Sequence, residues 1–552
     1  MTSVASVLGR WRAWSPALRV ETLALLAGLF FTLSSNGLFW RSAFAGRDFA
    51  GAGDWLFAAG LLVTLATLHF LILAVLCNRW TVKPLLGLLI VATAFASYYM
   101  ATYTVFLDPS MLRNVLRTDV KEAGELFSLG MLPHLLFYAV VPLLLLSRIQ
   151  VVRDGWRPAL LRRLASVILG ALLLGGALLA IFQDMAPLMR NNKEVRYLIT
   201  PANYLYSLAR VLGSDASAAT RERQKIGLDA TLDPSWQARK KPALFVVVVG
   251  ETARAANWGL SGYARQTTPQ LAEREVINFS QVTSCGTNTE VSLPCMFSVY
   301  GRKNYDEDKI RGSESLLNVL DRAGLRVLWR DNQSGCKGVC TGVETHKLDN
   351  AKVPGLCDGE RCFDEVLTHD LDQVLADRQG NLVLVLHQLG NHGPSYYKRY
   401  PDAFRRYTPV CETPDLAKCE REAVVNAYDN AILYTDHVLA KTIDFLKAKS
   451  ATYDTALLYV SDHGESLGEG GLYLHGVPYS IAPKVQVEVP MALWVSPGYA
   501  QSFALDTACL AKRASQPTTH DNLFHSLLGM LDVRTSVYDA GLDIAATCRV
   551  AK

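Results

Sequence analysis

Cysteine is almost absent from the first half of this 552-residue sequence, where Cys77 stands alone before Cys285. An excess of either charge is absent as well: 55 Lys and Arg face 51 Asp and Glu, for a formal net charge of +4. That balance excludes a chain built to bind nucleic acid through bulk positive charge. Repeats and low-complexity tracts are missing, which excludes a solenoid or a Pro-rich spacer. Only 19% of residues are charged and 50% are hydrophobic, which excludes a disordered chain. A mean hydropathy of +0.15 is high for a soluble enzyme of this size. The apolar residues crowd into the first third, so the protein is not purely soluble.

Five stretches there carry no Asp, Glu, Lys or Arg. They are the 19 residues between Glu21 and Arg41, 24 between Asp54 and Arg79, 24 between Lys83 and Asp108, 22 between Glu125 and Arg148, and 20 between Arg163 and Asp184. A helix rises ~1.5 Å per residue, so roughly 20 residues cross the ~30 Å hydrocarbon layer. Core helices of a soluble protein are shorter and carry charge on one face. Lys and Arg set the orientation. The N-terminus (Arg10, Arg12, Arg19), second loop (Arg79, Lys83) and fourth loop (Arg148, Arg153, Arg157, Arg162, Arg163) are basic and belong in the cytoplasm. Five crossings then deliver everything after Asp184 to the outside. Ala43-Phe44-Ala45 resembles a signal-peptidase site, but the apolar run before it is long and four more spans follow, so an uncleaved anchor is expected.

The remaining ten cysteines all lie downstream: Cys285, Cys295, Cys336, Cys340, Cys357, Cys362, Cys411, Cys419, Cys509 and Cys548. An even set in a domain placed outside reads as up to five disulfides, most simply paired in sequence order. A Cys-rich zinc site would need CxxC pairs, which are missing. Residues 184–240 are polar and mostly helical in pattern, with Tyr197, Tyr204 and Tyr206 among apolar neighbours, which suggests helices lying at a membrane surface, with a plain soluble linker as the alternative. Beyond them, Ala243–Gly250, Leu325–Trp329, Leu382–Leu386 and Ala456–Val460 are short apolar β-rich runs alternating with helical patterns such as Tyr428, Ile432, Leu439, Ile443 and Leu446. That order predicts an α/β domain with a mostly parallel central sheet covered on both faces.

Ligands in such folds gather at the carboxyl ends of strands. There stand Glu251, the pair Asp462-His463, and His387 with His392. Two carboxylates and an imidazole suit Zn²⁺ or a similar divalent ion, whereas all-oxygen shells suit Ca²⁺ or Mg²⁺. Cys285-Gly286-Thr287-Asn288-Thr289-Glu290-Val291-Ser292-Leu293-Pro294-Cys295 reads as a disulfide-closed loop entering a helix. Thr289 is there either a hydroxyl offered to a phosphoryl group at the helix dipole or an ordinary N-cap, and the local sequence leaves both open.

Together GETARAANWGLSGYARQTTP (250–269), SCGTNTEVSLPCMFS (284–298), WRDNQSGCKGVC (329–340), LHQLGNHGPSYYKRYP (386–401) and SDHGESLGE with YLHG (461–476) resemble the lipid A phosphoethanolamine transferases. That family includes the mobile colistin-resistance enzymes and belongs to the alkaline phosphatase/sulfatase superfamily. The resemblance covers nearly the whole chain. It implies a five-span helical membrane domain (1–183), a connector (184–240) and a periplasmic alkaline-phosphatase/sulfatase-like domain (241–552), in a monomer of the bacterial inner membrane. It implies that Glu251, Asp462, His463 and Thr289 bind zinc, one ion tightly and a second considered for turnover, with Thr289 also the nucleophile. His392 and His475 match histidines near the phosphoryl group. Asn114, Thr118, Glu122, Ser334, Lys337 and His387 match donor-binding positions; the spacing of four among the first three predicts one helical face. The implied reaction takes phosphoethanolamine from phosphatidylethanolamine to a lipid A phosphate, with resistance to polymyxins as its consequence. Kdo, core heptose or periplasmic glucan are alternative acceptors, and a membrane-anchored phosphodiesterase or hydrolase is the alternative reaction. Glu290 departs from the family pattern, standing where relatives often carry a small residue.

Overall fold

The computed structural model describes residues 14–118, 120–219 and 222–550; Arg10 and Arg12, invoked above for orientation, lie outside these. The chain forms two compact units, Met1–Leu112 with Ser128–Val211, and Arg113–Phe127 with Leu212–Lys552.

The first unit is helical. Ala52–Leu76, Val82–Tyr103, Met131–Arg148 and Trp156–Ala180 are each long and apolar enough to cross a membrane. Trp156–Ala180 and Val20–Ser34 both pack against Ala52–Leu76. The outermost helix turns Leu161, Ile168, Leu169, Leu172 and Leu179 outward, as lipid contact requires. The first stretch is not one straight span: Val20–Ser34 and Gly37–Ala43 meet at 64°. Asn36 explains the break. Its amide donates to Phe31 O and Thr200 O at 2.8 and 2.9 Å, and its Oδ1 accepts from Thr200 N at 2.8 Å. A side chain that takes up backbone groups in this way competes with the helix. The connector is helical over Phe182–Asn191, Lys193–Leu198 and Ala202–Ala219; between 222 and the central sheet it holds a short strand, Thr231–Leu232, paired antiparallel with Val533–Arg534, and a 3-10 turn, Pro234–Ala238.

The second unit is built on an eight-stranded sheet. In chain order its strands are β1 (Ala243–Gly250), β2 (Ile277–Thr283), β3 (Arg326–Asp331), β4 (Glu344–Lys347), β5 (Leu382–His387), β6 (Asp454–Ser461), β7 (Glu488–Val495) and β8 (Thr518–Thr519). The spatial order is β8-β2-β7-β6-β1-β5-β3-β4, and β7 alone runs antiparallel to its neighbours. Every residue of β1 is buried. Phe245, Val247 and Val249 face Met296, Phe297 and Leu527, while Leu244, Val246 and Val248 face Tyr428, Ile432 and Leu439. Burying each such side chain is worth about 1.5–3 kcal/mol, which is why a continuous apolar run, rather than an alternating one, specifies this central strand. The face with Tyr428 is covered by the 29-residue helix Arg421–Lys449, whose buried stripe follows the helical periodicity of its sequence. The five disulfides join Cys285–Cys295, Cys336–Cys340, Cys357–Cys362, Cys411–Cys419 and Cys509–Cys548.

Segment 113–127 packs with this sheet domain. Arg113 pairs with Glu307 and Asp215, and Glu125 pairs with Arg399 and Arg361. The single helix expected through Asn114, Thr118 and Glu122 is two short ones, Pro109–Arg117 and Val120–Glu125. The Thr118 hydroxyl donates to Asn114 O, one turn back, at 2.9 Å.

Candidate active site

β1 and β6 pair in parallel with Gly250 opposite Ser461, and Asp462 N donates to Gly250 O at 2.9 Å. Glu251, Asp462 and His463 therefore leave the sheet side by side. They are fully buried, with one ligand atom from each within 4.8 Å of the others. His463 Nδ1 lies 2.9 Å from Gly464 O; assigning the proton there turns Nε2 toward Glu251 Oε1 and Asp462 Oδ2, each 3.4 Å away. Asp462 Oδ1 accepts from Thr252 N and His463 N at 3.1 and 2.7 Å, whereas its Oδ2 is buried without a hydrogen-bond partner.

The electrostatics follow from that crowding. Burial opposes charge on His463, but Asp462 and Glu251 outweigh it and lift the imidazole to about 10. Burial and the charge of Glu251 push the Asp462 carboxyl up to about 6. Burial also disfavours charge on Glu251, yet the hydrogen bond and charge of His463 hold it well below the ordinary carboxylate range. Two carboxylates, one imidazole and an orphaned carboxylate oxygen make a mixed O/N donor set that fits one divalent cation of borderline softness.

Thr289 opens the helix Thr289–Met296, but Asn288 is its cap: the Asn288 side chain accepts from Val291 N at 3.1 Å. The Thr289 hydroxyl is thus released from capping. It donates to Glu251 Oε2 and Oε1 at 3.1 and 3.3 Å and stands 3.3 Å from His463 Nε2. The Cys285–Cys295 disulfide closes the loop onto this helix. His520 ties the same loop to β6, accepting from Cys285 N at 3.1 Å and donating to Ser461 O at 3.0 Å. Burial pushes its imidazole down to about 4, so it bridges as a neutral ring.

Glu122 Oε1 lies 3.1 Å from His392 Nε2. His475 Nδ1 lies 2.9 Å from Glu465 Oε2, and its ring is 4.4 Å from His463 and 5.9 Å from His392. Lys337 donates to Ser334 Oγ at 2.8 Å and stands 3.4 Å from Glu290. A narrow cavity beside His392 is lined by Glu122, Gln333, Ser334, Asp349 and Glu360. Asn114 and Thr118 occupy the preceding turn of the same segment. His387 lies deeper, fully buried, with Nδ1 3.1 Å from Asp331 Oδ2 and its ring edge-on to Trp329.

This layout has relatives. A sulfatase family profile matches residues 243–533, and a profile described as phosphoethanolamine transferase EptA/EptB matches 65–216. Phosphoethanolamine transferase EptA of Escherichia coli K12 is 38% identical over 541 residues, 97% of this chain and 98% of that one. The chain belongs to the phosphoethanolamine transferase family. Phosphatidylethanolamine transferase Mcr-2 of Escherichia coli is 39% identical over 520 residues, covering 92% of this chain and 94% of that protein. The integral membrane EptA of Neisseria meningitidis superposes with a TM-score of 0.92 at 37% identity, covering 97% of this chain and all of that one.

Several residues of this transferase site escape sequence reasoning. Gln333 donates to Glu251 Oε2 at 2.9 Å from within the WRDNQSG motif. Glu465, three residues after Asp462, accepts from Tyr396 at 2.5 Å and orients His475. Asp364 accepts from Leu389 N and Gly390 N at 2.8 and 2.9 Å, pinning the turn before His392. Gly390 has φ +53°, and a Cβ there would stand 2.6 Å from Glu251 O. Glu290 gains a physical explanation. Its buried carboxylate gathers Arg117 and Arg311 at 3.1 Å and Lys337 at 3.4 Å, tying the 113–127 segment to the helix that carries Thr289.

Proposed function

We propose that this transferase moves phosphoethanolamine from phosphatidylethanolamine to a phosphate of lipid A through a covalent ester on Thr289. Support comes first from the Thr289 hydroxyl, which reaches Glu251 at 3.1 Å and His463 at 3.3 Å from the start of a helix. Glu251, Asp462, His463 and Thr289 would hold a zinc ion, with Asp462 Oδ2 free to join the set. When bound, such an ion lowers the pKa of a hydroxyl and offsets charge on phosphoryl oxygens.

In the first half-reaction Thr289 Oγ, giving its proton to the Glu251 carboxylate to which it donates, bonds to phosphorus as the bond from phosphorus to the glycerol oxygen breaks. That oxygen takes a proton from His392 or His475 and leaves as diacylglycerol. In the second, a lipid A phosphate oxygen loses its proton to that histidine and attacks phosphorus, and Thr289 departs and regains its proton from Glu251. Glu122 receives the ammonium group: burial raises its carboxyl, but the charge and hydrogen bond of His392 bring it down to about 2, so it stays anionic. Lys337 and Ser334 contact the phosphate. The spans within 1–183 anchor the enzyme in the inner membrane with a cytoplasmic N-terminus, and the domain over 241–552 works in the periplasm as a monomer. Five disulfides agree with an oxidising compartment. Each transfer caps an anionic phosphate with an ammonium group, weakening the attraction of cationic peptides such as polymyxins.

Mass spectrometry of the full chain incubated with phosphatidylethanolamine and no acceptor tests the intermediate. One phosphoethanolamine on the peptide containing Thr289, with release of diacylglycerol, is expected. An adduct on another residue would overturn the assignment.

A further inference from the structure

A second feature lies in the helical unit and shares no residue with the candidate active site. Where Val20–Ser34 begins, Ala52–Leu76 ends and Trp156–Ala180 begins, the helix ends enclose a cavity of about 240 Å³. Arg19, Arg79, Arg162 and Arg163 line it, against the carboxylates of Glu21 and Asp154. Asp154 is already engaged by Arg162 and, at 3.4 Å, by Arg19. Arg79 stacks over the Trp80 ring at 4.0 Å, and among the described residues its one hydrogen bond is to the Asp154 carbonyl, at 3.4 Å. Arg163 has no carboxylate partner among the described residues, and its Nε and Nη2 are buried with no hydrogen bond. Burying guanidinium nitrogens in this way is costly unless an anion meets them.

The rim points to the kind of anion. Trp80 and Trp156 line the cavity and are 72% and 70% exposed, and Leu160 beside them is 49% exposed. Large aromatic rings at the ends of membrane-spanning helices settle at head-group depth, and an apolar wall there faces the start of acyl chains. Basic pockets between spans at that depth suit phosphate head groups of anionic lipids.

We infer that the cavity between Arg79, Arg162 and Arg163 binds the phosphate head group of an anionic phospholipid, with Trp80 and Trp156 flanking its glycerol end. This lipid is a bound component of the anchor, not the donor or the acceptor of the transfer reaction.

The test uses the full chain in neutral detergent, titrated with short-chain phosphatidylglycerol, phosphatidylcholine or inorganic phosphate while thermal unfolding is followed. Phosphatidylglycerol alone should raise the midpoint. Arg79→Gln and Arg163→Gln should each weaken that response by roughly fivefold in affinity. Arg41→Gln removes an equal charge from an exposed arginine outside the cavity and should leave the response intact. If Arg163→Gln alone lowers the ligand-free midpoint, the exposed Arg79 variant still reads the site. An equal response to phosphatidylcholine, or one untouched by both cavity variants, would overturn the inference. An equal rise with inorganic phosphate would replace the lipid by a free anion and overturn it as well.

Discussion

Replacing Glu122 by Gln keeps the size of the side chain and removes its charge. In the wild type the carboxylate stands 3.1 Å from His392 Nε2, with side-chain exposures of 15% and 9%. Burial alone would raise the Glu122 carboxyl, but His392, with help from Lys337, holds it at about 2. A fall to that value from the ordinary ~4.3 separates the two protonation states by about 3 kcal/mol. Solvent reaching the pair screens part of this, so Glu122→Gln should cost about 2 kcal/mol of stability in the catalytic unit. Burial lowers and Glu122 raises the His392 imidazole, and the net direction is up. The pair therefore stabilises fully between ~4.3 and ~6.5, the ordinary values of its members. Its contribution fades as the pH falls below ~4.3 toward about 2, where Glu122 protonates, and as it rises above ~6.5 through the raised value of His392. Calorimetry of wild type and variant inside and outside that window should show the gap opening only inside it. The donor KM should rise about tenfold or more through loss of the ammonium contact, with a smaller change in kcat. A gap in stability that ignores pH, together with an unchanged donor KM, would refute both roles of Glu122.

Three further outcomes are expected. Gln333→Ala removes the hydrogen bond that orients Glu251 and should weaken zinc affinity by about 10–100-fold in a competition titration, with the fold intact; equal affinity would remove Gln333 from the site. Glu290→Gln leaves Arg311 and Lys337 beside a neutral amide and should cost about 3 kcal/mol in thermal unfolding, and an unchanged midpoint would show that the cluster holds nothing. A strong chelator should abolish transfer while circular dichroism stays nearly constant, and zinc should restore activity. Full activity in excess chelator would exclude the metal.

What could be read from the sequence, and what could not, divides by distance along the chain. Buried parallel strands are written as continuous apolar runs, so β1, β5 and β6 were legible, with the acids just past β1 and β6 and the histidines at the end of β5. Glu251 and Asp462 are 211 residues apart, yet the rule that ligands gather at strand ends joins them. The Thr289 hydroxyl was ambiguous because only three-dimensional contact shows that Asn288 does the capping. Gln333, Glu465 and Asp364 were missed because amides and acids inside a motif carry no periodic signature; their meaning lies in which backbone or carboxylate they meet. The bend at Asn36 depends on Thr200, 164 residues away, so it does not show in hydropathy. Glu290 looked anomalous in one dimension because its three cations come from three separate segments.

The central claim is transfer through Thr289. Lipid A from cells expressing the wild type should be compared by mass spectrometry with lipid A from cells expressing Thr289→Ala, both proteins being present in the membrane with their disulfides formed. A phosphoethanolamine adduct with the wild type alone is the expected result. An adduct of equal yield from Thr289→Ala would contradict the nucleophile, and no adduct from the wild type would contradict lipid A as acceptor and direct the search to core sugars and periplasmic glucans.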